Sequence, residues 1–356
     1  MKKLLVVIVV VILISGLSAC KGNDAAPAGN TGGGETTQTG DSGGGGGSSA
    51  IKIGVSLPTQ REERWVLDNE AFQKVAAEQG IEVAIQIADN DAARQQSQCE
   101  NLISQGISAL IIAPHDVEAA ANIVGIAHAE GIPVISYDRL VMNSEVDLYA
   151  TFDQFRIGQL MGEYINEYVE SGNIVLLKGD PQDNTSIPLK EGALSAIQGK
   201  IDSGAFTIVL EMECKDWQPS EALRHMENAL TANNNDIQGV IAPNDGTAGG
   251  VIQALAAQGL AGKVPVTGQD SEVDAIKRII EGTQSMTVFF DVRDLAAAAF
   301  GAAVKLANGQ DSGATGSEFN GSIDVPVLEF PAVKVTKDNW RELLIDSGYM
   351  DASEFE

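Results

Sequence analysis

The sequence predicts an α/β protein built as two lobes, each a doubly wound parallel sheet covered by helices. Three observations carry that expectation. Short apolar runs alternate with longer amphipathic stretches from Ile51 onward. Several of the helical stretches close on glycine. The remaining chain of about 300 residues holds about ten strand candidates, which suit two sheets better than one.

Taken in order, the strand candidates are 51–57, 81–88, 109–114, 133–137, 147–152, 173–178, 206–211, 239–243, 264–269 and 286–290. Most are short apolar runs, many of them rich in Ile, Val and Leu, as expected for strands buried on both faces. Helical patterns fill the gaps, for example over 64–79, 92–105 and 117–130. Gly80, Gly106, Gly131 and Gly259 follow helical stretches, where a left-handed residue ends a helix without steric cost.

Two segments precede this region. Residues 1–20 read MKKLLVVIVVVILISGLSAC. Lys2 and Lys3 form a basic start, and the apolar run from Leu4 to Ile14 has signal-peptide length, short of the about 20 residues that span a bilayer. Leu17-Ser18-Ala19-Cys20 resembles the lipobox of bacterial lipoproteins, which implies cleavage before Cys20 and acylation of its thiol. Two or three acyl chains, at about 0.8 kcal/mol per buried CH₂, would hold the protein at the outer side of a cell membrane. Residues 21–49 contain eleven glycines and no large apolar side chain. That composition reads as a flexible tether with a reach of roughly 30 Å.

Composition excludes several functions. With 23 Lys+Arg against 49 Asp+Glu, the formal charge is −26, which repels phosphate backbones and argues against nucleic-acid binding. Three histidines and three cysteines offer no zinc-ligand spacing and few routes to His-based catalysis. Neither GxxxxGK[ST] nor a GxGxxG after the first strand occurs, so no nucleotide cofactor is expected, and no metal. No general acid with its partner stands out, so the chain reads as a non-enzyme. Cys99 and Cys214 leave two readings open, buried free thiols or one disulfide, with free thiols favoured.

In open α/β sheets ligands sit beyond the carboxyl ends of the strands. Polar residues gather there: Asp138-Arg139 after VISY, Asp183-Asn184 after VLLKGDPQ, Asn244-Asp245 after VIAP, and Gln269-Asp270 after VPVTG. With Arg64, Trp65 and Trp217, this is the chemistry of sugar recognition. Carboxylates and amides accept hydroxyl hydrogens, guanidinium forks donate, and indoles cover the apolar ring faces. Each position also has an ordinary role. Trp65 has helix-core spacing to Phe72, one of Asn244 and Asp245 suits an N-cap, and Trp217 precedes a helix start at Pro219.

The segments KIGVSLPTQREERW, NLISQGISALIIAP, GIPVISYDRL, YATFDQFRIG, MENALTANNNDIQGVIAPNDGTAGGVIQALAAQGLAGKVPVTGQD and IIEGTQSMTVF together resemble the D-xylose-binding and multiple-monosaccharide-binding proteins of bacterial ABC importers. The resemblance runs from about Ile51 to the C-terminus. It implies a type I periplasmic-binding fold, a monomer whose two lobes close over one monosaccharide, with D-xylose favoured. It further implies delivery to an ABC permease in the cytoplasmic membrane, or alternatively presentation of the closed form to a sensor kinase or chemoreceptor. The lobes would be 50–152 plus about 288–325, and 153–287 plus about 326–356, with chain crossings near 152–153, 287–289 and 324–327. By motif, the implied sugar contacts are Arg64 and Trp65 (ERW), Asp138 and Arg139 (YDR), Asp183 and Asn184 (PQDN), Trp217 (DWQPSEAL), Asn244 (PND) and Asp270 (GQD). The pattern departs at two positions. Phe290 stands where relatives usually carry a lysine, which removes a charged donor, and Thr185 stands where an asparagine is usual.

Overall fold

The computed structural model describes residues 51–356, so the expected signal segment, Cys20 and the tether lie outside the described residues. The first half runs β1 (Lys52–Leu57), α1 (Glu63–Gln79), β2 (Glu82–Ile87), α2 (Ala92–Ser104), β3 (Ala109–Ile112), α3 (Ala121–Ala129), β4 (Val134–Tyr137) and β5 (Leu148–Phe152). These strands pair in parallel in the order β5-β4-β3-β1-β2. Alternate residues face opposite ways. Ile53, Val55, Ile111, Ile135 and Tyr137 therefore pack with Phe72 and Val75 of α1, while Leu110, Ile112 and Val134 pack with Leu102 of α2 and Val124 of α3.

The second half continues with α4 (Gln154–Tyr168), β6 (Gly172–Lys178), α5 (Ser186–Asp202), β7 (Phe206–Glu213), α6 (Pro219–Ala232), β8 (Gly239–Ile241), α7 (Asp245–Ala257) and α8 (Val273–Glu281). Its sheet is β7-β6-β8, again parallel. Ile174 and Leu176 face α4 and α5, and Val175 and Val240 face α6 and α7. Helix α4 approaches α5 through bare backbone: a Cβ at Gly158 would lie 1.9 Å from the Leu189 carbonyl oxygen, and one at Gly192 2.0 Å from that of Phe155.

The expected strand over 264–269 is reduced to a single parallel bridge, Val240 to Val266. Pro265 has no N–H to give the ladder, so only its carbonyl takes part, accepting from Val240 N at 2.9 Å.

The chain then makes β9 (Thr287–Phe289), α9 (Val292–Ala307), β10 (Gly316–Phe319), β11 (Asp324–Phe330) and β12 (Val333–Val335). Leu295, Ala299 and Phe300 of α9 join the core beneath β1 and β3. Strand β11 extends the first sheet parallel to β5, with β10 antiparallel at its outer edge. β12 pairs with β9. The third crossing therefore falls later than 324–327. Val327 to Phe330 remain paired with Tyr149 to Phe152, and the chain leaves the sheet only at Pro331. Among the described residues, no helix is long and apolar enough to cross a membrane. Cys99 and Cys214 are buried and free, and burial pushes their thiols up to about 11 and about 12.

Candidate functional site

In both sheets the strand order reverses beside the central strand, at β1/β3 and at β6/β8. Loops diverge at such switch points and leave a crevice beyond the strand ends. The two crevices face each other across one cleft of about 380 Å³. Eight of the nine implied contacts line it, Arg64, Trp65, Asp138, Arg139, Asp183, Trp217, Asn244 and Asp270, together with the departing position Phe290.

Arg64 and Trp65 occupy the first turn of α1, directly after the β1 loop. Arg64 Nη1 donates to Asp138 Oδ1 at 2.7 Å, and its Nε reaches Asp68 Oδ2 at 3.2 Å. Asp68 also accepts from the Tyr137 hydroxyl, so a buried partner fixes the guanidinium from behind. Burial works against the Arg64 charge, but the carboxylates of Asp138, Asp68 and Asp270 outweigh it and hold its pKa well above the ordinary value. The guanidinium stacks 4.3 Å from the Trp65 ring centroid and 5.3 Å from that of Phe290. Trp65 is thus both core, as its spacing suggests, and a wall of the cleft.

Asp138 follows β4 in a left-handed conformation, φ 64°. Its carbonyl accepts from Tyr149 Oη at 2.9 Å and Thr151 Oγ1 at 3.1 Å, and its N–H donates to Ala150 O at 2.7 Å. Backbone bonding on both sides holds this uncommon geometry and aims the carboxylate into the cleft. Asp270, φ 97°, is a second carboxylate presented from such a turn. Burial pushes its pKa up to about 8, against the pull of Arg64.

Asp183 joins the two sides. Its Oδ2 accepts from Trp217 Nε1 at 3.1 Å and lies 2.7 Å from Arg139 Nε, while Oδ1 accepts from Thr185 N at 3.0 Å and Thr185 Oγ1 at 2.7 Å. The Arg139 Nε–H does not point along the short contact, so we treat it as an ion pair rather than a hydrogen bond. Arg139 Nη1 donates to Pro114 O at 3.2 Å. Trp217 lies over Gly179, where a Cβ would meet the indole at 2.2 Å. Asn244 is the N-cap of α7, its Oδ1 accepting from Thr247 N at 2.9 Å, and its Nδ2 faces Asp270 Oδ2 at 3.3 Å.

Asn184 is placed elsewhere. The Asp183–Thr185 turn points it out of the cleft, where its Oδ1 accepts from Leu140 N at 3.2 Å and its Nδ2 faces the Met142 sulfur at 3.4 Å. It clips the two sides together instead of lining the cleft. Val117 N to Gln182 O at 3.3 Å and Val273 N to Glu63 Oε2 at 2.9 Å also cross between them. Four further residues line the cleft without having been predicted as contacts: Glu62, Gln154, Thr185 and Gln269. Thr185 and Gln269 sit in the strand-end turns already marked as polar, and Glu62 directly precedes the ERW match. Phe290 stacks on Phe152 at 4.4 Å, making an apolar wall where a cation was the family expectation. Among the described residues, no group of three or more His, Cys, Asp and Glu could hold a metal ion.

The chain is similar to known sugar-binding proteins. A D-xylose-binding periplasmic protein of Escherichia coli is 40% identical over 304 residues, covering 85% of this chain and 92% of the relative. A multiple sugar-binding periplasmic receptor of Rhizobium radiobacter is 34% identical over 323 residues, covering 85% and 91%. A carbohydrate-transporter solute-binding protein from Chloroflexus aurantiacus, solved with D-glucose, superposes with a TM-score of 0.81 at 36% identity, covering 87% of this chain and 99% of that one. Residues 53–311 match the model of the periplasmic binding protein domain, and the chain belongs to that family.

Proposed function

We propose that this protein is the extracytoplasmic sugar-binding component of an ABC importer, capturing a monosaccharide, D-xylose first among the candidates, and handing it to a membrane permease. One observation carries the reading. Two switch-point crevices converge on a cleft that holds the pairs Arg64–Asp138, Arg139–Asp183 and Asn244–Asp270 between two indoles. Such a cleft matches several hydroxyls at once, and a hydroxyl with no partner there costs about 1–3 kcal/mol. The D-xylose-binding relative supports the choice of sugar. Binding shifts an equilibrium toward the closed form, which presents both lobes to the permease without chemical change to the sugar.

The same reading includes the envelope arrangement. Cys20 is acylated, residues 21–49 form the tether, and the soluble body stands off the membrane as a monomer. The lobes are 50–152 with the α9 to β11 segment, and 153–289 with the chain after Pro331. Calorimetric titration with xylose, glucose, galactose, arabinose and ribose tests the ligand. Micromolar or tighter binding to xylose is expected; silence from all five would refute sugar capture. Metabolic labelling with a palmitate analogue tests the anchor, and Cys20→Ala is expected to abolish the label.

A further inference from the structure

The charges of the cleft do not balance. Glu62, Asp138, Asp183 and Asp270 line it with Arg64 and Arg139 as the lining cations, Arg61 pairs with Glu62 from outside the lining, and Phe290 adds an apolar wall. Each arginine is already engaged by a carboxylate: Arg64 with Asp138 at 2.7 Å, Arg139 with Asp183 at 2.7 Å. Asp270 has only the neutral amide of Asn244, at 3.3 Å, with the Arg64 charge acting on it from further off. Glu62 is 8% exposed. Its Oε1 accepts from Arg61 at the mouth of the cleft, but its Oε2 is buried with no partner in the protein. Gln269 Oε1 is buried and unpartnered as well. On the donor side two buried groups lack a hydrogen-bond acceptor, Arg64 Nη2 and Arg139 Nε, the latter held beside Asp183 as an ion pair.

A buried carboxylate oxygen with no donor is costly, and a cation relieves it better than a neutral hydroxyl. An ammonium brings three donors and a positive charge in the volume of one hydroxyl. Resting on the sugar-binding reading above, we propose that this cleft is selective for monosaccharides carrying a primary ammonium, such as 2-amino-2-deoxyhexoses, with Glu62 and Asp270 receiving the charged group. Burial, opposed by Arg64 and reinforced by the negative charges of Asp245, Glu62 and Asp138, pushes the Asp270 carboxyl up to about 8, the direction a neighbouring cation would reverse. The opposing arrangement is a protonated Asp270 that donates to a neutral sugar, which would give no preference for an amine.

Matched titrations of the purified protein at pH 6 separate these arrangements: D-glucosamine against D-glucose, D-galactosamine against D-galactose, with N-acetyl-D-glucosamine and D-xylose alongside. Each amine is expected to bind at least about tenfold tighter than its parent, equivalent to about 1.4 kcal/mol. The N-acetyl form, bulkier and uncharged, is expected to lose that advantage, and Glu62→Gln should bring the ratio of amine to parent towards one. Amines binding no tighter than their parents, while xylose or glucose still binds, would overturn this proposal and leave the sugar-binding reading standing. Silence from every sugar and amine would overturn both.

Discussion

Asp183→Ala probes the join between the two sides of the cleft. The substitution leaves the Arg139 guanidinium, 6% exposed, with Pro114 O as its remaining partner. Removing one member of a buried ion pair costs about 3–5 kcal/mol. The off-line N–H at Arg139 Nε argues for the low end, about 3 kcal/mol. The Arg139 contact crosses between the lobes, so its loss falls on the closed, ligand-holding form. At about 1.4 kcal/mol per tenfold, the sugar Kd should rise by roughly two orders of magnitude. The bonds from Trp217 and Thr185 lie within one lobe and persist when the cleft opens, so their loss should appear in Tm rather than in Kd. Asp183→Asn, which keeps one of the two acceptor oxygens, should restore part of the Tm and little of the Kd. Calorimetry and thermal melts on the two variants read these effects separately. A Kd for Asp183→Ala within about threefold of the unmodified protein would refute the role of this pair in closure.

Three further outcomes follow from particular contacts. Phe290→Ala removes the stacking on Phe152; at about 3 kcal/mol or more, the melt should fall by at least about 5 °C. Gly158→Ala should lower Tm by a few degrees, at about 1–3 kcal/mol, because a methyl 1.9 Å from the Leu189 carbonyl oxygen forces α4 from α5. The ligand-free protein should be less stable at pH 8.5 than at pH 6. Burial raises the folded-state carboxyls of Asp245 to about 7 and Asp270 to about 8, above their unfolded values near 4. The folded chain then binds more protons in that window, so stability falls as pH rises from about 4 to about 8. Equal melts at pH 6 and 8.5 would contradict those burials.

The strands most legible in the sequence are the buried ones, β1, β3, β4, β5, β6 and β8, because a continuous apolar run is their signature. β10 was not legible: Gly316-Ser317-Glu318-Phe319 is exposed along its length, and only pairing with β11 makes it a strand. The late third crossing has the same origin, since Pro326 and the mixed burial of β11 give no apolar run to extend to Phe330. In the cleft, motif and strand-end position were enough to find the paired charges. They could not reveal which way Asn184 points, because that is set by the turn in which Asp183 Oδ1 accepts from Thr185 N. Glu62 is a residue of helix-start type by sequence, and its significance lies in an oxygen that three-dimensional packing leaves without a donor.

The most direct test of sugar capture is a calorimetric titration of D-xylose into the unmodified protein and into Asp138→Ala side by side. Asp138 is 4% exposed, sits at φ 64° and accepts from Arg64, so it shapes the cleft more than any surface feature does. Micromolar or tighter binding is expected for the unmodified protein, weakened at least about tenfold by the substitution, a loss of about 1.4 kcal/mol or more. A Kd that moves by less than about twofold, or no binding to either protein, would contradict the assignment of this cleft as the xylose site.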